Sequence, residues 1–151
     1  MIAYGLLTAI AVALGGPSDG KADLVKKDYA RLSGTWRLAS AIEDGKQVPR
    51  ADLERTKLIT DGNKFTIEGD IKLGTSASGT FKIDPTQTPK AVDSIQSTGP
   101  DAGKTILGIY EIIDDNHKRA CWAAPGKPRP SEFTSPPGSG RLLQNWTRQR
   151  R

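Results

Sequence analysis

Apolar positions recur along this chain at two different spacings. Between Lys21 and Leu32 the residues Leu24, Val25, Tyr29 and Leu32 fall near one face of a helix, which Ser33-Gly34 ends. Beyond Gly34 the period drops to two. Trp36, Leu38 and Ile42 alternate with Arg37, Ala39 and Glu43, a half-buried strand stopping at Asp44-Gly45, and Pro49 to Arg55 fits one helical turn. Leu58-Ile59-Thr60 then leads through Asp61-Gly62 into Lys64-Phe65-Thr66-Ile67-Glu68, a hairpin whose glycine supplies the positive φ of the turn. Further strands are expected at Thr80–Asp84, Ala91–Gln96, Thr105–Ile113, Lys118–Ala124 and Leu142–Arg148.

These eight segments lack the helical crossovers that parallel strands require, so neighbours are antiparallel. The expected class is all-β: an eight-stranded antiparallel barrel behind a short N-terminal helix, with an open sandwich as the alternative. Composition agrees. The 16 glycines and 10 prolines fall largely between the strand-like runs, and 36% hydrophobic with 26% charged residues suits a soluble domain.

The beginning of the chain follows another rule. Residues 1–16 carry no charged side chain, and the apolar run Leu6 to Leu14 is shorter than the ~20 residues of a membrane-spanning helix. Its length matches the apolar region of a signal peptide, with Ala13 and Gly15 as the small residues before a cut between Gly15 and Gly16. The n-region has no Lys or Arg, which keeps an uncleaved or buried segment as the alternative. The expected organisation is a signal peptide over 1–15, a linker and short helix over 16–31, and a barrel domain over 32–151. Such a protein is exported to the periplasm, cell envelope or exterior. No cysteine follows the apolar run to take a lipid anchor, and Cys121, being alone, forms no intrachain disulfide.

Gly34-Thr35-Trp36 opens the first strand directly after the helix. In that position it resembles the Gly-x-Trp signature of lipocalins, whose tryptophan packs at the closed end of the barrel under a basic residue from the last strand. The resemblance implies that Trp36 and Arg148 close this barrel. A wider set of segments covers most of the chain beyond the helix: Leu32–Trp36, Asp61–Phe65, Asp84-Pro85-Thr86 with Pro89-Lys90-Ala91, Gly103-Lys104-Thr105 with Gly108–Glu111, and Arg129–Phe133. Together they resemble a family of small exported proteins abundant in planctomycete bacteria and described as an uncharacterised lipocalin-like domain. That family implies export and a barrel, and no activity.

Several constellations suggest chemistry and fall short of it. Gly99-Pro100-Asp101-Ala102-Gly103-Lys104-Thr105 looks like a phosphate-binding loop, but it has three residues between its glycines where four are needed, and a strand follows instead of a helix. His117 and Cys121, each the single residue of its kind, would lie roughly 13 Å apart on one strand, too far for a catalytic pair. Glu43-Asp44 and Asp114-Asp115 belong to turns and lack the spacing of a calcium loop. Asn145-Trp146-Thr147 has the N-glycosylation pattern but sits inside a strand. Arg141, Arg148, Arg150 and Arg151 around Trp146 could form a polyanion patch, though a solvated chain end explains them as well. The net charge of +5 is spread along the chain, and nucleic acid is not an expected partner.

The expected function is therefore a non-enzymatic binding protein without metal or cofactor. It would hold a small apolar or amphipathic ligand between Leu38, Phe65, Ile67, Phe81, Ile83, Ala120 and Trp122, the inward residues of their strands. The proline-rich loop carrying Arg129 and Phe133 is either a lid at the barrel mouth or a structural clip. The alternative is a side-chain-filled barrel that contacts an envelope protein or an anionic polymer through its surface. No convergent catalytic set supports an enzyme.

Overall fold

The computed structural model describes residues 17–69 and 76–150; the expected signal peptide and its cleavage position lie outside them. The elements are α1 (Pro17–Leu32), β1 (Gly34–Glu43), β2 (Lys46–Gln47), α2 (Arg50–Arg55), β3 (Lys57–Asp61), β4 (Lys64–Glu68), β5 (Ser76–Asp84), β6 (Lys90–Gln96), β7 (Thr105–Asp114), β8 (His117–Trp122) and β9 (Leu142–Arg148). Each of β3 to β8 pairs antiparallel with the next strand, and β1 pairs with both β3 and β9. The sheet thus closes into an eight-stranded antiparallel barrel, with β2 a short addition beside β1. Closure leaves the main strands without a free edge.

Where element limits differ from the sequence reading, local chemistry accounts for it. α1 starts one turn earlier than the apolar spacing indicates, because residues before Lys21 contribute no apolar face. The β3–β4 hairpin turns at Gly62-Asn63, since Asp61 still pairs with Lys64, and Gly62 has φ of 55°. β5 begins at Ser76 instead of Thr80. Ser76-Ala77-Ser78-Gly79 offers one small apolar residue, too little for a hydrophobic alternation, yet Ala77 is fully buried against the rest of the barrel. β1 contains a bulge between Leu38 and Ser40, so the alternation that begins at Trp36 resumes out of phase at Ala41.

One end of the barrel is shut by α1. Val25, Tyr29 and Leu32 pack against Ile83, Val92, Tyr110 and Ile112, while Leu24, expected on the same face, is exposed. Asp28 replaces it on the buried face. Its carboxylate accepts hydrogen bonds from Tyr110 Oη at 2.8 Å and from Lys90 Nζ at 2.7 Å, and Tyr29 Oη donates to the Phe81 carbonyl at 2.9 Å. These bonds tie the helix to β5, β6 and β7. The β1–β3, β6–β7 and β8–β9 connections gather at the other end. No helix among the described residues is long and apolar enough to cross a membrane.

Candidate ligand cavity

The inward side chains do not fill the barrel. A cavity of about 410 Å³ remains. Phe65 and Ile67 on β4, Phe81 and Ile83 on β5, and Ala120 and Trp122 on β8 all line it, so six of the seven expected pocket residues surround one space. Leu38 is the exception. It packs with Trp36, Ala41 and Trp146 in a buried cluster, and Leu58, Leu142 and Trp146 present that cluster to the cavity in its place.

Trp122 can lie close to β7 because its partner there is Gly108. A Cβ at Gly108 would come within 2.5 Å of the Trp122 ring carbon Cε3. The indole Nε1 donates to Gln144 Oε1 at 3.0 Å, which satisfies both groups inside an otherwise apolar wall. Thr60 Oγ1 is similarly spent on the Leu32 carbonyl at 2.5 Å. Gln96 Oε1 has no hydrogen-bond partner among the described residues and lies buried at the cavity edge. Glu43, Asp101, Pro125 and Gly140 line the cavity at the end opposite α1, where the strand connections leave its mouth.

The floor holds the group that sequence reasoning passed over. Lys118 is 8% exposed and lines the cavity, with Nζ 4.3 Å from the centroid of the Trp36 ring. Arg148 contacts the same indole, its Cζ 4.2 Å from the centroid. Trp36 itself is completely buried and donates its Nε1 proton to the Leu32 carbonyl at 2.9 Å. Burial, with the nearby Arg148 charge adding to it, pulls the Lys118 ammonium down to a pKa of about 7. The signal for Lys118 was present in the sequence. The alternation that turns Ala120 and Trp122 inward turns Lys118 inward too, but a lysine reads as surface by composition.

The proline-rich loop after β8 runs over the outside of the barrel. Arg129 Nη1 donates to the carbonyls of Val92 at 2.9 Å and Gly108 at 2.7 Å, while Nη2 reaches Asp93 Oδ1 at 2.6 Å. Asp93 is outward, because Val92 and Ser94 on either side of it line the cavity. The ring of Phe133 lies under Arg119, whose Cζ is 4.0 Å from its centroid. Beneath this loop the Cys121 thiol, fully buried, donates to the Thr134 carbonyl at 3.4 Å, and burial raises its pKa. The loop is a clip, and only its two ends reach the cavity.

The remaining candidates stay apart. His117 is exposed and bonded through Nδ1 to Asp114 Oδ1 at 2.9 Å, away from the covered Cys121. The phosphate-loop lookalike is a turn that feeds β7, with Lys104 Nζ 3.1 Å from Asp101 Oδ1. Asn145 donates through Nδ2 to Ser40 Oγ at 3.1 Å within the β1–β9 pairing. The chain matches no family model, no curated protein and no solved structure.

Proposed function

We propose that this protein is an exported, non-enzymatic binding module of lipocalin-like type that takes a small apolar or amphipathic molecule into its barrel. The observation carrying this reading is the cavity of about 410 Å³ walled by Phe65, Ile67, Phe81, Ile83, Ala120 and Trp122. That size falls within the ~300–1,000 Å³ range of small-molecule sites, and an apolar wall with few polar anchors is their usual make-up. The stacking of Arg148 on Trp36 supports the lipocalin-like comparison. Export rests on the apolar run Leu6 to Leu14 and the small residues after it. The open interior favours internal binding over the alternative of a filled barrel that works through its surface.

The test is a titration with apolar fluorescent dyes, isoprenoids and long-chain alcohols, followed through tryptophan emission, since Trp122 and Trp146 both line the cavity. Saturable binding that Ala120→Phe abolishes, with the far-ultraviolet circular dichroism unchanged, is the expected result. A barrel that takes up none of these compounds would overturn the reading and promote the surface-contact alternative.

A further inference from the structure

The closed end of the cavity has an electrostatic imbalance. Two cations, Lys118 and Arg148, share the Trp36 indole, and neither is paired with a carboxylate among the described residues. Arg148 spends its donors on carbonyls: Nε on Asp115 at 2.7 Å, Nη1 on Ser33 at 2.7 Å and Nη2 on Arg31 at 2.7 Å. Nearby acids are already engaged, Asp28 with Lys90 and Tyr110, and Asp115 with Arg31 at 3.5 Å. The Lys118 ammonium has no hydrogen bond or ion pair among the described residues; its neighbour is the face of the indole. The three N–H donors of this mostly buried side chain meet no protein acceptor among the described residues and face the cavity, the one place from which a partner can reach them. No carboxylate among the described residues supplies one.

Resting on the binding reading above, we infer that the cavity takes a single-chain amphiphile with an anionic carboxylate-type headgroup, seated head-down on Lys118 with its chain between Phe81, Ile83 and Trp122. The indole face satisfies the ammonium on one side only, which leaves its N–H donors for a ligand oxygen. Arg148 adds a second positive charge of fixed position against the same indole and favours a negative head over a neutral one. Burial holds the lysine close to its deprotonation point near neutrality, so an incoming carboxylate restores the charged form and gains a charge-assisted hydrogen bond at the sheltered end of the cavity. The wall is mainly apolar, with Phe81, Ile83, Val92 and Trp122 among its members, which suits a hydrocarbon chain.

The experiment compares decanoate, decanol and decylammonium on the full-length folded protein by calorimetry and tryptophan emission, at low and at high salt. Decanoate should bind at least roughly tenfold more tightly than decanol, the scale of one charge-assisted hydrogen bond, and decylammonium more weakly than either. The preference should survive high salt, because the pair is buried. Lys118→Met should remove the preference while decanol still binds, and the carboxyl ¹³C resonance of labelled decanoate should shift on wild-type protein and not on the variant. Equal binding of decanoate and decanol to the wild type overturns the inference without any variant, and leaves the cavity reading intact. A preference that disappears with salt assigns it to the basic surface and overturns it as well. Binding of none of the three compounds sinks the cavity reading itself.

Discussion

Arg148 lies over the ring of Trp36 while its three guanidinium nitrogens end on three carbonyls, those of Asp115, Ser33 and Arg31. One side chain thereby joins the last strand to the β7–β8 turn and to the end of α1. The arrangement requires Gly34, whose φ of 131° suits glycine and whose missing side chain leaves room for the guanidinium.

Trp36→Ala should accordingly cost roughly 3–5 kcal/mol in urea melts, the range for removing a large packed aromatic. Lys118 and Arg148 would also face a void where the indole ring now attracts both cations. A variant melting within about 1 kcal/mol of the wild type would show that this end of the barrel is not packed as described.

Stability should depend on pH through Lys118. The unfolded lysine titrates near 10.5 and the folded one at about 7. Between these values the unfolded chain binds more protons, so stability rises with pH, and the penalty is fully present below about 7. Lys118→Met should therefore be more stable than wild type by roughly 1–4 kcal/mol near pH 6, with the advantage shrinking toward pH 8. Paired urea melts at both pH values cancel all other groups in the difference. An advantage that stays constant with pH would remove Lys118 as its source. A stabilising loss of this kind also marks a residue kept for something other than folding.

The clip over β6–β8 makes Cys121 a reporter. Burial and a raised pKa should leave the native thiol nearly inert toward an aromatic disulfide reagent at pH 8. Arg129→Ala removes the bonds to Val92, Gly108 and Asp93, and labelling should then accelerate by about an order of magnitude or more through local opening. Unchanged labelling would mean that Phe133 and Thr134 hold the loop without Arg129.

The sequence disclosed the barrel because its walls are written in clean alternation. Phe65/Ile67 and Phe81/Ile83 each have a polar neighbour between them, and one inward residue fixes the next. That rule failed where the backbone departs from regular pleating or where the side chain is small. The bulge after Leu38 shifted β1 out of phase, and Ala77 could not announce the start of β5. The loop bearing Arg129 left both readings open, because stiffness from proline is common to lids and clips. Its position follows from Arg129 reaching across to β6 and β7, a bond between residues 36 positions apart that no local pattern encodes.

The pairing of β1 with β9 has a consequence in time. The strand carrying Trp36 has β9 as one of its partners, with Trp36 opposite Arg148. A chain threaded or synthesised from its N-terminus therefore cannot complete the barrel until residue 148 has joined it. Up to then β1 offers an open edge and an uncovered tryptophan. Long-range closure of this kind slows folding, since the entropy of bringing distant segments together is surrendered before any pairing energy returns.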